Sequence, residues 1–247
     1  MRKLSVVSGG FDPLHGGHLD LLRAASDLGD MLCVLVNSDE WLIRKKGYAV
    51  LSQDERIAVV RSMGFVNTAG LAQDSDDTVV ESLRVLARDN PDYQIVFCNG
   101  GDRGATNTPE AHFVESVGGL CVYGVGGTNK VNSSSDAYPR GGRTVQRLWG
   151  SYVDHYRSDE MVVKTLYIAE GLGTSYQRHR HRDEIWLVRE GKVRVRFGDT
   201  DEIHGPGSVL IVPRNMWHSV EARGEFAVVQ EVQVGFCRED DIERKEL

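Results

Sequence analysis

The 247 residues predict an α/β half followed by an all-β half. Up to residue 125, short apolar runs alternate with segments of helical periodicity. Beyond residue 148, short β-branched runs succeed one another between Gly, Pro and Asp turns. Between them, 126–148 (GGTNKVNSSSDAYPRGGRTVQRL) is rich in Gly, Ser, Asn and Arg and holds the boundary. Alternating strands and helices build a mostly parallel sheet that binds ligands outside the carboxyl ends of its strands. Successive short strands close into a small barrel or sandwich.

Each element follows from a local pattern. LSVVSG (4–9) is an apolar run ending in glycine, a buried strand. HLDLLRAASDLG (18–29) carries leucines at 19, 21, 22 and 28 and stops at Gly29, which marks a helix. MLCVLVNS (31–38) is the next strand. LSQDERIAVVRSM (51–63) is a helix capped by Ser52, with Glu55 completing a capping box. DDTVVESLRVLARDN (76–90) and AHFVESVG (111–118) are helices, and YQIVFCNGGD (93–102) and LCVYGV (120–125) are strands. In the second half VVKTLYIAEG, DEIWLVREGKVRVRFGD, SVLIVPRNMW and FAVVQEVQVGF are strands, with no good helix before the last dozen residues.

Composition narrows the function. Apolar residues make up 40% and charged residues 26%, with a net charge of −7, which argues against a general nucleic-acid binder. No apolar run approaches the roughly 20 residues that span a bilayer, and the N-terminal apolar stretch is too short for a signal peptide. Cys33, Cys98, Cys121 and Cys237 are scattered without a CxxC pair, which predicts free thiols in a reducing cytoplasm.

The first strand runs into GGFDPLHGGH (9–18). Glycines here let backbone N–H groups approach a phosphate, and a helix N-terminus favours anions. His15 and His18 beside that point are placed to donate hydrogen bonds to phosphoryl oxygens as charge builds. G-x-F-D-x-x-H-x-G-H after strand one resembles the HxGH nucleotidyltransferase superfamily, and closely its cytidylyltransferase-like branch. The resemblance covers roughly 3–138 and implies a Rossmann-like nucleotidyltransferase domain. It implies Asp12, His15, His18 and Lys46 as catalytic residues. Arg44, Arg56 and Lys46, in NSDEWLIRKKGYAVLSQDERIAVV, stand where that branch has an R-x-K-G loop and a helical arginine that meet triphosphate and acceptor phosphate. FCNGGD (97–102) resembles the F-x-K-G-G-D block of sugar-phosphate adenylyltransferases, with Asn99 in place of the lysine. Nucleotide or phosphate contacts then fall on Gly9, Gly10, Phe11, Gly100, Gly101 and Asp102. Ser133 and Ser134, in NSSSD, match a phosphate-binding helix start, or else form part of a flexible linker. The implied reaction is attack of a phosphomonoester oxygen on the α-phosphorus of ATP or CTP, with Mg²⁺ and loss of pyrophosphate.

In the second half, GLGTSYQRHRHRDEIWLVREG resembles the cupin pattern G-x5-H-x-H-x3–4-E-x6-G. The visible pair His179 and His181 leaves two residues before Glu184. Starting from Gln177 restores the spacing. GSVLIVPRNMWH supplies Gly207, Pro213 and His218 of a second motif. The resemblance thus implies Gln177, His179, Glu184 and His218 around Zn²⁺, Mn²⁺, Fe²⁺ or Ni²⁺, with His181 outside that set, further along the same strand face. WGSY, VVK, Q-x-H-x-x-R-x-E-x-W, EVQVG and EDDIER, in order over about 147–244, resemble type II phosphomannose isomerase, with Ile185 in place of a frequent histidine. That implies aldose–ketose isomerisation, with His181, Arg182 and Arg244 at the sugar phosphate.

The combined expectation is a bifunctional cytoplasmic enzyme acting on NTPs and sugar phosphates, as a homodimer without nucleic-acid or membrane partners. A rival keeps the transferase and makes the cupin a non-catalytic sugar-binding or dimerising module. A third reading makes the cupin a nucleotide-sugar epimerase using Tyr176 and His181. Domains at 1–138 and 139–247 are expected to fold when expressed separately, as judged by circular dichroism. Unfolded fragments would contradict that boundary.

Overall fold

A computed structural model describes residues 1–101, 103–104, 108–127 and 144–245. The chain divides into two compact units, Met1–Ser133 and Ser134–Leu247. The point of division, like the one expected after residue 138, lies outside the described residues. No helix among the described residues is long and apolar enough to cross a membrane.

The first unit is a parallel sheet with helices in its connections. Its elements run β1 (Arg2–Gly9), α1 (Gly16–Ser26), β2 (Met31–Val36), α2 (Asp39–Lys46), α3 (Gln53–Arg61), β3 (Thr68–Leu71), α4 (Val80–Asp89), β4 (Tyr93–Cys98), α5 (Ala111–Ser116) and β5 (Leu120–Val122). The strand order is β3-β2-β1-β4-β5. Order reverses at β1, so a crevice opens between the carboxyl ends of β1 and β4, where sheets of this kind bind ligands. Leu4, Val6, Leu35, Ile95 and Phe97 pack against Val79, Leu83 and Val114 in the core.

Two elements were not evident in the sequence. The stretch around Arg44–Gly47, expected as a basic loop, is the end of helix α2. Ser38 caps that helix by accepting from Trp41 N at 3.0 Å, and Gly47 ends it in the left-handed region at φ 85°. Arg44, Lys45 and Lys46 occupy its last turn, where cations complement the helix dipole. Strand β3 is four residues containing a glycine, too short to show a period, and exists through its pairing with β2. The expected capping box of α3 is formed in both directions, Ser52 with Glu55.

Among the described residues, the strands of the second unit all pair antiparallel. It comprises β6 (Thr144–Arg147), β7 (Gly150–Arg157), β8 (Met161–Ile168), β9 (Tyr176–His179), β10 (Arg182–Glu190), β11 (Val193–Phe197), β12 (Thr200–His204), β13 (Val209–Val212), β14 (His218–Ala222), β15 (Ala227–Gly235) and β16 (Ile242–Lys245). One sheet has the order β13-β10-β15-β8-β7-β6 and the other β12-β11-β14-β9-β16. Leu166, Trp186, Val188, Val193, Val195, Val220 and Val229 share one core. Strand β6 takes the end of the stretch expected as a linker and pairs it with β7. The last dozen residues hold a 3-10 turn, Glu239–Asp241, before strand β16.

Gly126, just after β5, is required by close approach. Its φ is 77°, and a Cβ there would lie 2.5 Å from the Leu21 backbone nitrogen in α1. Gly126→Ala adds left-handed strain to that clash. It is expected to destabilise the first unit by about 2 kcal/mol or more, read as a lower denaturation midpoint for that unit.

Candidate functional site

Helix α1 follows β1 after the loop 10–15, and His15 is its N-cap residue, in extended conformation with no side-chain cap bond. The His15 carbonyl starts the helix by accepting from His18 N at 2.9 Å and Leu19 N at 3.1 Å. The two imidazoles stack with ring centroids 3.7 Å apart. Burial lowers the His15 pKa to about 4. Burial, then the neighbouring His15 and Lys46, hold His18 well below its ordinary value. Both rings are therefore neutral at pH 7 and present N–H donors without adding charge.

The loop beneath them is tightly braced. Phe11 is buried at φ 50°, its ring centroid 5.0 Å from that of His18. A Cβ on Gly10 would lie 2.7 Å from a Leu42 methyl, so the loop packs directly on α2. The buried Asp12 carboxylate accepts from Val50 N (2.8 Å), Leu51 N (2.9 Å) and Lys46 Nζ (3.0 Å). Lys46 also donates to the Asp12 carbonyl. Asp12 thus ties the histidine loop to the end of α2 and holds Lys46 at the site.

Arg56 occupies a different place from the one the resemblance implies. It is 1% exposed. Its guanidinium donates to the carbonyls of Leu51 (3.1 Å), Gly10 (2.7 Å) and Asn37 (2.7 Å) and to Asp39 Oδ1 (2.6 Å). It faces scaffold carbonyls, so its charge braces the loop. Arg44 lies on the surface, pairing with Asp77 at 3.0 Å. Across the crevice, Gly100 packs against the Val125 carbonyl and Leu21, and Gly101 is left-handed at φ 64°. Asn99 is buried, with its amide nitrogen 3.3 Å from the Phe97 carbonyl. Asp102, Ser133 and Ser134 lie outside the described residues.

In the second unit, His179, Glu184 and His218 converge, with ligand atoms within 4.8 Å of one another. His179 Nε2 is 3.0 Å and His218 Nε2 3.6 Å from the Glu184 carboxylate. Gln177 is the cross-strand partner of His218 and also of Arg244. Among the described residues, Gln177 Oε1 accepts from Ser175 Oγ at 3.0 Å. The donor set fits a divalent cation. His218 Nδ1–H donates to the Met216 carbonyl at 2.8 Å, which leaves a lone pair on Nε2. That buried atom has no hydrogen-bond partner among the described residues, yet it faces a carboxylate. Burial also lowers the His218 pKa despite Glu184. Two acceptors face each other where a cation would satisfy both.

Glu184 is held from several sides. Gln233 Nε2 and Trp186 Nε1 each donate to it at 3.0 Å, and Arg182 Nε lies 3.4 Å away. Burial opposes its charge, but His179, His218 and Arg182 outweigh that and push its pKa well below the usual carboxylate range.

Beside this cluster lies a cavity of about 390 Å³ lined by Gln177, Arg182 and Gln233. Arg147, Arg157, Lys164, Arg238 and Arg244 add positive charge to its wall, and among the described residues Glu231 supplies the one carboxylate. Arg182 and Arg244, expected at the sugar phosphate, both line this cavity. His181 does not. Strand β9 ends at His179, the chain bends, and His181 turns outward. There its Nδ1 pairs with Asp241 Oδ1 at 2.7 Å, outside the cavity wall. Tyr176 is bonded to the Gly198 carbonyl at 3.0 Å and stacks on Trp217, so it forms no pair with His181. Lys164, Glu231 and Gln233 had no role in the sequence reading, although VVK and EVQVG were both visible there.

The paired histidines at the parallel-sheet crevice and the histidine–carboxylate cluster in the antiparallel unit fall in two segments, each of which matches a known family. Residues 6–125 match the Cytidylyltransferase-like family, and residues 135–247 match Mannose-6-phosphate isomerase C-terminal. The bifunctional protein HldE of Streptomyces coelicolor is 37% identical over 121 residues, which cover 47% of this chain and 24% of HldE. The mannose-1-phosphate guanylyltransferase ManC of Salmonella typhimurium is 32% identical over 106 residues, covering 42% of this chain and 22% of ManC. The chain thus spans less than a quarter of either relative's length. An RmlC-like cupin from Shewanella frigidimarina overlays with a TM-score of 0.37 at 14% identity, covering 42% of this chain and 91% of that structure.

His179→Ala is expected to lose bound metal, whereas His181→Ala is expected to keep it. Metal analysis of the purified variants checks this. Changes outside the ligand set typically cost about 10–100-fold in affinity, and ligand loss should exceed that.

Proposed function

We propose that this chain is a bifunctional sugar-phosphate enzyme. Its first unit transfers a nucleotidyl group from ATP or CTP to a sugar phosphate, and its second interconverts ketose and aldose phosphates. The observation that carries the transferase reading is the stacked His15–His18 pair at the start of α1, beside the β1–β4 crevice.

In the transfer step, a phosphate oxygen of the sugar phosphate attacks the α-phosphorus, and pyrophosphate leaves. His15 and His18 donate hydrogen bonds to the non-bridging oxygens there. The N-terminal amides of α1 add partial positive charge, and Lys46, anchored by Asp12, neutralises a neighbouring phosphate. Bound Mg²⁺ would supply charge neutralisation on the phosphates. The protein's contribution is alignment and electrostatics.

The isomerase reading is supported by the basic cavity beside His179, Glu184 and His218. Its cationic wall suits a phosphorylated sugar, with Arg244 and Arg182 offering bidentate contacts to the phosphate. A divalent metal held by His179, Glu184 and His218, with Gln177, would supply Lewis-acid polarisation of the carbonyl. One observation favours a non-catalytic cupin. Arg182 already sits 3.3 Å from His179 and 3.4 Å from Glu184, so its guanidinium could satisfy them without metal.

Pyrophosphate release, followed with each NTP against pentose, hexose and heptose phosphates, identifies the transferase substrates. The panel includes sugars phosphorylated at carbon 1 and at the terminal carbon. His15→Ala or His18→Ala is expected to lower that release about 10²–10³-fold while isomerase turnover is unchanged. Either variant retaining more than about a third of wild-type turnover would remove the histidines from the chemistry, given the size of that expected loss.

A further inference from the structure

The cavity holds a buried ion pair that the ligand cluster does not use. Lys164 on β8 and Glu231 on β15 are cross-strand partners. Lys164 Nζ lies 3.0 Å from Glu231 Oε1. Both side chains are largely buried, 17% and 6% exposed, and both line the cavity. Gln233 Nε2 bridges Glu231 Oε1 to Glu184 Oε1, so the pair stands one side chain from the ligand cluster. Both bonds to Glu231 end on Oε1. Among the described residues Oε2 carries none, which leaves that oxygen for an occupant of the cavity.

We infer that Glu231 carries the proton between carbons 1 and 2 of the bound sugar phosphate, while Lys164 supplies and removes the proton on the two oxygens. This rests on the isomerase reading and assigns its acid and base. A pair buried solely for stability gains little, because desolvation offsets most of the attraction. Burial, then the charge of Glu184, raises the Glu231 pKa against the pull of Lys164. Burial works against the Lys164 charge, but Glu231 and Glu184 outweigh it and raise its pKa. A carboxylate that binds its proton more firmly is a stronger base toward a carbon acid.

In the ketose-to-aldose direction, the Glu231 carboxylate takes a proton from carbon 1. The C–H electron pair becomes the double bond to carbon 2, and the carbonyl π pair on oxygen 2 takes a proton from the Lys164 ammonium. The enediol then collapses. Neutral Lys164 takes the proton from the hydroxyl on carbon 1, and that O–H pair becomes the new carbonyl bond. The double-bond pair takes the proton from Glu231 at carbon 2. Both side chains finish in the states in which they began, and no redox partner is needed.

The test uses the full-length chain with fructose 6-phosphate as probe, and a panel of pentose and heptose ketose phosphates, in deuterium oxide. Wild type is expected to form the aldose phosphate with deuterium at carbon 2. E231Q should lower kcat about 10²–10⁴-fold with KM within about threefold, and should incorporate no deuterium. E231D keeps the charge beside Lys164 but withdraws the oxygen, and should lose at least about tenfold in kcat, the low end of a displaced base. If thermal melting shows E231Q to be unfolded, E231D decides. Folded variants with kcat within about threefold of wild type, well short of general-base loss, would overturn the assignment while leaving the isomerase reading intact. A metal-loaded wild type inert toward every ketose phosphate would overturn both.

Discussion

A carboxylate buried away from water is costly unless opposite charge and hydrogen bonds replace its hydration. Each unit is organised around one such group. In the first, Asp12 accepts two backbone N–H groups and a lysine, and joins the histidine loop to the segment after α2. In the second, Glu184 lies among His179, His218, Arg182, Gln233 and Trp186. Removing either carboxylate would strand the groups that satisfy it, so site geometry and local stability are linked.

The two sites treat charge differently. At the crevice, burial keeps both imidazoles neutral, and the local cation is Lys46. An incoming polyphosphate therefore meets N–H donors and one anchored ammonium. In the second unit, the Lys164–Glu231 and Arg182–Glu184 pairs balance as two positive and two negative charges. Arg147, Arg157, Arg238 and Arg244 add further positive charge to the cavity lining.

Much of this was legible in the residue order. The switch from α/β to all-β reflects two hydrophobic periods, each a local property. The capping box at Ser52 and Glu55 needs residues three apart, and it formed as expected. Of the four residues in the register beginning at Gln177, His179, Glu184 and His218 converge, and His181 pairs with Asp241 instead. Helix α2 and strand β3 were not legible. The former is short and strongly polar, and the latter is a glycine-containing tetrapeptide defined by its neighbour.

The sequence by itself determined the two-part organisation, the histidine pair on the first loop and the histidine–carboxylate spacing in the second half. Those features depend on short-range spacing, which periodicity and motif intervals encode directly. Only the tertiary structure decided which way the charges face. Arg56 turns inward because the carbonyls of Gly10, Asn37 and Leu51 converge around it from separate segments. Lys164 meets Glu231 because β8 and β15 pair in one register. Such partners are far apart along the chain, and nothing local in either segment specifies the meeting.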